Sequence, residues 1–426
     1  MTDLYVRKGQ LGGELVDLRI RNGRFAEILP STASPPLLDP TEKLLEAQGG
    51  LLSPPFADPH LHLDAAPLGA TTPNRSGTLA EGIRNWGEAR TALEPEALKS
   101  RAHTAVKWCV AQGTTRIRSH VDTASRVGVE GLLALREELA GLCEIQIVAF
   151  PQDGIYTGEG REQALRDAVA KGVDAVGAIP HFEKSREEGE ASVRLALDLA
   201  QKNGLQVDLH CDESDDPMSR HIFTLCQEVL DRQFPDHVIA GHCTSMHSFP
   251  EDVAARAIDL VVKSGVQVVA NPLDNIVLQG RGDTYPKRRG ITRIPELMEA
   301  GATVGLGHDS IMDPWYPLGR GCMLEAASML VHVAQMTRPE QVVSVFRLLT
   351  GANHLPFGEI PRIEIGQPAD LLVHAVPNEE AAIRLAQPPR WVIRQGTVIA
   401  ETGPAISRVL GEEVRVGLPD LSSPGL

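Results

Sequence analysis

Two histidines separated by one residue stand out as groups that could do chemistry. His60 and His62 flank Leu61, shortly after the apolar run 51–56. In an extended strand alternate side chains share a face, so both imidazoles point to the same side. Converging ring nitrogens, each about 2.0–2.1 Å from an ion, are what a divalent metal needs from two of its ligands. The spacing therefore indicates part of a metal site or, as a structural alternative, two half-buried histidines.

Composition limits the class of protein that could use such a site. Of the 426 residues 42% are hydrophobic and only 4% aromatic, which favours aliphatic packing around buried parallel strands. A net charge of −15 argues against nucleic-acid polymers and membrane surfaces as partners. The six cysteines form no CxxC pair, and no run of about 18 apolar residues occurs. We expect a cytoplasmic protein without disulfides or membrane spans.

A regular alternation of apolar strands and amphipathic helical stretches predicts the fold. The helical stretches are 94–112, 127–140, 161–171, 191–203, 218–232 and 250–264, followed by a helical pair at about 321–350. The strands predicted between them number eight: 51–56, 115–119, 145–150, 175–179, 206–209, 237–240, 266–270 and 303–306. This alternation implies a parallel sheet, and eight units predict an α/β fold of the (β/α)8 TIM-barrel type.

The two ends of the chain differ from this central part. Residues 1–55 contain short strands with a hairpin signal at Asn22-Gly23, and residues 363–402 return to short strands and turns. We expect segments 1–55 and 356–426 to pair as a small β-sandwich domain, with the catalytic barrel at 56–355. Residues 419–426 are expected to be loosely held.

Polar residues follow nearly every predicted barrel strand, at the edge where barrel enzymes carry their catalytic groups. Such groups are costly to bury unless a metal or substrate satisfies them. In chain order they are His60, His62, His120, Asp122, Gln152, His181, Glu183, His210, Asp212, Glu213, His242, Asn271, Asp274, His308, Asp309 and Ser310.

With these residues in view, nearly the whole chain resembles the metal-dependent amidohydrolase superfamily, and within it the bacterial cytosine deaminases. The segments that carry the resemblance are 58–64 (DPHLHLD), 76–79 (SGTL), 146–152 (QIVAFPQ), 176–183 (VGAIPHFE), 210–216 (HCDESDD), 280–290 (GRGDTYPKRRG), 307–309 (GHD) and 313–319 (DPWYPLG).

The resemblance implies one divalent metal ion, Fe(II) or Zn(II) with Mn(II) also possible. The implied ligands are His60, His62, His210 and Asp309. Binuclear relatives bridge two metals with a lysine after the fourth strand, where this chain has His181. A divalent ion lowers the pKa of bound water from 15.7 to about 7. Asp309 would take the water's proton and pass it to the departing amine, while His242 would orient the attacking oxygen or serve as a structural histidine.

Glu213, three residues after His210, is expected to protonate a ring nitrogen of the substrate. Gln152 offers an amide donor and a carbonyl acceptor that suit the N–C=O edge of a pyrimidine. Leu79 and Trp315 are expected to wall the pocket, or to serve only in packing. The remaining strand-end groups at the second and fourth strands are expected to brace loops, and Asp64 to anchor the first loop by hydrogen bonding.

Ser310 departs from typical cytosine deaminases, which resemble this chain up to Gly-His-Asp and then carry a second aspartate. We expect the lost charge and volume to favour 5-methylcytosine or isocytosine over cytosine. The alternative is an amidohydrolase acting on another small heterocycle, such as a triazine or a cyclic amide. A non-catalytic relative is disfavoured because every implied ligand is present. The expected partners are a small pyrimidine and further copies of the chain in an even-numbered homo-oligomer.

Overall fold

The structure is a computed structural model that describes residues 3–32, 37–40, 42–125, 127–403, 407–410 and 412–414. The chain begins with five strands of a small β domain: β1 (Asp3–Leu11), β2 (Glu14–Arg21), β3 (Arg24–Pro30), β4 (Glu42–Glu46) and β5 (Leu52–Ser53). Asn22 and Gly23 turn the chain between antiparallel β2 and β3 with positive φ angles of 51° and 75°. The predicted hairpin is therefore confirmed.

Eight parallel strands, arranged in sequence order, form the central sheet. They are β6 (Phe56–Leu61), β7 (Thr114–Asp122), β8 (Glu144–Phe150), β9 (Ala175–Val176), β10 (Gln206–Cys211), β11 (Val238–His242), β12 (Gln267–Ala270) and β13 (Val304–Leu306). A parallel bridge between Leu61 and Asp309 joins the last strand to the first. The amide of Asp309 donates to the carbonyl of His60 at 2.8 Å, which continues this seam. The predicted (β/α)8 barrel is confirmed.

The boundaries of several predicted strands were wrong; β7, for example, continues to Asp122 instead of ending at residue 119. The first barrel strand is Phe56–Leu61 instead of 51–56, so His60 lies within it. Pro54 and Pro55 have no amide hydrogen to donate, and they divide the apolar run into β5 and β6. The fourth strand, β9, ends at Val176 instead of residue 179, because the chain enters a 3-10 helix at Pro180.

Twelve helices connect the strands or follow the barrel in the described part of the chain. They are α1 (Leu79–Ala89), α2 (Pro95–Ala111), α3 (Gly128–Glu138), α4 (Arg161–Ala170), α5 (Arg186–Asn203), α6 (His221–Arg232), α7 (Glu251–Ser264), α8 (Pro272–Leu278), α9 (Ile294–Glu299), α10 (Met323–Val333), α11 (Pro339–Thr350) and α12 (Glu379–Leu385). Helix α5 illustrates their local signals: the Ser185 side chain caps its first turn and Gly204, with φ of 64°, ends it. Across the described residues, no helix has the length and apolar character needed to cross a membrane.

Strands from both ends of the chain build the small domain. Its C-terminal strands are β14 (Leu371–Val373), β15 (Trp391–Arg394) and β16 (Thr397–Glu401), followed by a separate hairpin of β17 (Ser407–Val409) and β18 (Glu412–Val414). The two four-stranded sheets have the orders β3-β2-β1-β4 and β16-β15-β14-β5. Leu18 and Phe25 from one end share an apolar core with Leu371 and Ile393 from the other. The boundaries at 55/56 and 355/356 stay a prediction, and residues 419–426 lie outside the described residues.

Candidate active site

The four predicted metal ligands converge at the carboxyl end of the barrel. The Nε2 atoms of His62 and His210 lie 3.1 Å apart. The Nε2 atoms of His60 and His62 each lie 3.5 Å from Oδ1 of Asp309. All four side chains are buried. Strands β6, β10 and β13 thus bring together three imidazoles and one carboxyl group that are far apart in the sequence.

The chemistry of this cluster fits a metal ion. Ligand atoms of His60, His62 and Asp309 all lie within 4.8 Å of one another, as do those of His60, His210 and His242. Both ring nitrogens of His60 and Nδ1 of His210 are buried without a hydrogen-bond partner. Burial and repulsion from neighbouring imidazoles lower the pKa of these two histidines well below the usual value. They are therefore neutral, the form in which histidine binds metals.

A second group of side chains beside this cluster could move protons. Nδ1 of His242 lies 3.5 Å from Oε1 of Glu213 and 3.8 Å from Oδ2 of Asp309. Burial raises the pKa of Glu213 to about 8. Burial and the neighbouring carboxyls of Asp274 and Glu213 raise the pKa of Asp309. A buried carboxyl group that holds a proton near neutral pH, like that of Glu213, is suited to general acid catalysis.

The backbone turns sharply where these side chains leave their strands. His242 and Asp309 adopt positive φ angles of 65° and 71°. A residue other than glycine held in the left-handed region costs on the order of 1–3 kcal/mol. These two residues lie at the ends of β11 and β13, and their side chains belong to the cluster of imidazoles and carboxyls.

Gln152 follows β8 and is 6% exposed. Its loop is held by the carboxylate of Glu183, which accepts hydrogen bonds from the amides of Ile155 at 2.6 Å and Tyr156 at 3.0 Å. The predicted loop-bracing role of Glu183 is therefore confirmed. The ring of Phe150, which sequence reasoning missed, stacks on His210 with the centroids 4.0 Å apart.

Leu79 and Trp315 lie in one apolar cluster beside the metal ligands. Trp315 packs against Trp86, with ring centroids 6.0 Å apart, and its ring lies 5.5 Å from that of His62. Leu79 is half-buried against the same cluster. Trp315 thus borders the site and Leu79 packs behind it, and the contact of either residue with a substrate stays a prediction.

Several other strand-end groups serve the architecture. Oδ2 of Asp64 accepts from the amide of Asp122 at 2.9 Å, which confirms the predicted anchor of the first loop. Asp122 in turn pairs with Arg90. Asp212 lies 2.8 Å from Nδ1 of His221 at the start of α6. Asp212 therefore anchors a helix and does not join the metal ligands.

A buried polar network beneath the cluster was missing from the sequence reasoning. The carboxylate of Asp208 lies 3.2 Å from both the guanidinium of Arg118 and Nε2 of His120. The ring of His120 lies 4.1 Å from that of His60. Side chains alternate between the two faces of a strand, so the residues two positions before His120 and His210 share their faces. Those residues are Arg118 and Asp208, and this spacing could have identified the network from the sequence.

His242 also has partners that were not predicted. The amide nitrogen of Asn275 lies 3.1 Å from Nδ1 of His242, and that of Asn271 lies 3.3 Å from the same atom. The two asparagines are four residues apart around the first turn of α8, the spacing that puts side chains on one helix face.

The structure gives Ser310 a buried partner that the sequence analysis did not predict. Its hydroxyl donates to Oδ2 of Asp274 at 2.6 Å, and both residues are buried. A carboxyl group from α8 therefore stands beside the position where a charge was expected to be lost.

An eight-stranded barrel with clustered imidazoles and carboxyls at its carboxyl end defines a class of metal-binding hydrolases. The sequence model of the Amidohydrolase family matches residues 43–400, and the chain belongs to this family. A pterin deaminase of Rhizobium rhizogenes is 29% identical over 397 residues, covering 91% of this chain and 88% of the relative. An N-isopropylammelide isopropyl amidohydrolase of Pseudomonas is 27% identical over 372 residues, covering 84% and 88%.

Among solved structures, a 5-methylcytosine deaminase from Klebsiella pneumoniae, liganded with 5-fluorocytosine, has a TM-score of 0.90 at 35% identity. The match covers 96% of this chain and 99% of that chain. An N-isopropylammelide isopropylaminohydrolase from Burkholderia multivorans has a TM-score of 0.79 at 24% identity, covering 94% and 99%. Family and neighbours together support a hydrolase that acts on C–N bonds.

Proposed function

We propose that the protein is a metal-dependent aminohydrolase that deaminates a cytosine-like free pyrimidine base, with 5-methylcytosine preferred over cytosine. The observation that carries this proposal is the buried carboxyl of Glu213, 3.5 Å from His242 and beside Asp309. Hydrolysis of an amine from an aromatic ring needs a proton donor for the ring nitrogen next to the attacked carbon. Glu213 has the burial and the pKa of such a donor.

The proposed reaction consumes one water molecule and releases ammonia. A divalent ion held by His60, His62, His210 and Asp309 would supply a water molecule acidic enough to attack at neutral pH. Glu213 donates a proton to N3 as the oxygen adds to C4, so the ring electrons move onto N3 and not onto carbon. Asp309 accepts one proton of the water and delivers it to the exocyclic nitrogen, so that the C4–N4 bond breaks and ammonia leaves. The proton of the remaining hydroxyl group returns to Glu213 as the C4=O bond forms, which restores the starting enzyme. His242 stabilises the charge that develops on the attacking oxygen.

Gln152 is proposed to read the N1–C2=O edge of the ring through its amide. The preference for a 5-methyl group rests on the small side chain of Ser310, together with the 35% identity to a 5-methylcytosine deaminase. Fe(II) and Zn(II) are the proposed metals, with Mn(II) possible, because nitrogen ligands and one carboxylate suit all three ions.

The experiment is an ammonia-release screen on metal-replete protein. The panel contains cytosine, 5-methylcytosine, isocytosine, pterin and N-isopropylammelide, with kcat/KM measured for each. We expect the largest value for 5-methylcytosine. Ser310→Asp should reduce the 5-methylcytosine to cytosine ratio, because the larger side chain takes up space beside the ring. A strong cytosine preference that is unchanged by this substitution would contradict the proposal.

Deamination of a pterin is a second candidate, favoured by the 29% identity to a pterin deaminase over 91% of the chain. The pterin ring contains a 2-amino-4-oxopyrimidine, the same pattern as isocytosine, so Glu213 and Gln152 could act on it in the same way. Faster ammonia release from pterin and isocytosine than from both cytosines would favour this candidate.

A further inference from the structure

The contact between Ser310 and Asp274 leaves one carboxyl oxygen without a partner. Ser310 donates its single hydroxyl proton to Oδ2 of Asp274 at 2.6 Å. Oδ1 of Asp274 is buried, and no donor among the described residues reaches it. Burying a polar atom without a hydrogen bond is unfavourable, so such an atom calls for a partner.

Among the described residues, Ser310 is the side-chain donor to the carboxyl of Asp274. The pKa of Asp274 is raised by burial and then by the neighbouring carboxyls of Asp313 and Glu213. Asp274 in turn contributes to the raised pKa of Asp309. Asp274 thus lies near both carboxyls to which the proposed reaction assigns proton transfer. A donor that satisfies Oδ1 is therefore expected to come from the substrate.

The exocyclic amino group on C4 is the only hydrogen-bond donor that the pyrimidine offers beside N3 and C4. Glu213 faces N3 in the proposed reaction, and Asp309 serves the exocyclic amine on the adjacent carbon. A primary amine carries two N–H groups, one for Asp309 and one for a second acceptor. An N-alkyl amine has only one N–H group, so one of the two acceptors would stay unpaired.

We propose that Asp274 accepts a hydrogen bond from the exocyclic amino group of the substrate, and that Ser310 positions its carboxyl for this contact. Asp274 thereby selects rings with a primary amine over rings with an alkylamine. The inference rests on the proposed deamination of a pyrimidine. It adds a residue that determines specificity, and it gives Ser310 a positioning role besides the space that it leaves.

The test compares cytosine with N4-methylcytosine in the wild type, Asp274→Asn, Ser310→Ala and the double variant. The wild type should favour cytosine by about 10–100-fold in kcat/KM, the range expected when a buried acceptor loses its donor. Asp274→Asn should lower kcat/KM for cytosine by a similar factor and bring the ratio of the two substrates close to one. Ser310→Ala should shift the ratio in the same direction, with little further loss in the double variant, because Ser310 acts through Asp274.

A buried aspartate far from the site provides the matched control. Asp17 bonds Tyr5 in the small domain, so Asp17→Asn removes a buried charge without touching the barrel. This variant should leave the substrate ratio unchanged. Thermal melting and metal content, measured for all variants, report folding, and Ser310→Ala carries the test if Asp274→Asn does not fold.

The outcomes separate this inference from the proposed function. Deamination of cytosine with a substrate ratio that is the same in wild type and variants would overturn the role of Asp274 and leave the deaminase proposal standing. Release of methylamine by the wild type as fast as ammonia would also overturn it. A wild type that hydrolyses no pyrimidine but acts on an alkylamino triazine would overturn the proposed function and this inference together.

Discussion

The Nε2 atoms of His62 and His210 lie 3.1 Å apart, although the residues are 148 positions apart in the chain. Two nitrogens bound to one ion at about 2.1 Å lie about 3.0–3.4 Å apart when they subtend an angle near 90–110°. The two rings are therefore already at the spacing of ligands on a shared cation. This arrangement fits a preformed metal site, and an ion bound there would stabilise the fold.

Metal binding is the first prediction. The purified protein should hold about one divalent ion per chain, and its removal by a chelator should abolish activity and lower Tm, because a ligand that binds only the folded state stabilises it. His62→Ala and His210→Ala should each lose the ion, as measured by elemental analysis. The exposed His332 supplies the control, since His332→Ala should retain it. Two ions per chain would contradict a site without a bridging lysine.

Substitution of the proposed proton donor is the second prediction. Glu213→Gln should lower kcat by about 10²–10⁴-fold, the usual contribution of a general acid, because glutamine keeps the shape but cannot donate an acidic proton. Metal content should stay at the wild-type value, since Glu213 is not a predicted ligand. Glu187→Gln, on the exposed side of α5, should have no effect on kcat. Loss of the metal from Glu213→Gln would instead assign Glu213 to the metal site.

The pH dependence follows from the same carboxyl group. Glu213 must be protonated to act, and burial raises its pKa to about 8. Activity should therefore be present below this pKa and fall as pH rises through it. A bound cation favours the ionised carboxylate and moves this limb toward lower pH. The measurement is kcat/KM against pH, and Glu213→Gln should lack the alkaline limb.

The buried network beneath the cluster gives a prediction on metal affinity. Asp208→Asn removes the charge that holds His120 behind His60 and leaves the buried guanidinium of Arg118 without its ion pair. Groups that orient ligands typically contribute 10–100-fold to metal affinity, and we expect a loss of about this size in a competitive chelator titration. Stability should also fall, by about 3–5 kcal/mol in the free energy of unfolding. Asp198→Asn, in an ion pair on the surface, should change neither quantity measurably.

Gly319 packs against the residues on either side of Asp309. A Cβ atom on Gly319 would clash with the carbonyl oxygen of Ser310 and would lie 2.8 Å from the ring of His308. Gly319→Ala must therefore displace the segment that carries Asp309, at a cost of about 1–3 kcal/mol in stability and with a loss of kcat/KM. Gly141→Ala meets no atom within 4 Å and is the matched control. Equal melting temperatures for the two variants would contradict this prediction, because they would mean that the segment accommodates the extra methyl group without strain.

The sequence by itself determined the barrel and most of the residues at its mouth. Strand and helix periodicities are local properties, and parallel strands bring their carboxyl ends to one edge, so His60, His210 and Asp309 could be assigned to one site in advance. The first strand was misplaced, although Pro54-Pro55 carried the signal for its break. The two-residue spacing within a strand would also have placed Arg118 on the same face as His120, and Asp208 on the same face as His210.

Only the tertiary structure decided which polar groups pair across elements. The bond from Ser310 to Asp274 joins residues 36 positions apart, and the contact from Arg118 to Asp208 spans 90 positions. Such pairs depend on the strand register, on the orientation of α8 about its axis and on the side-chain rotamers. None of these three properties produces a repeating pattern in the sequence. From the sequence alone, Ser310 indicates the loss of a carboxylate. The tertiary structure shows that Ser310 instead bonds the carboxyl group of Asp274.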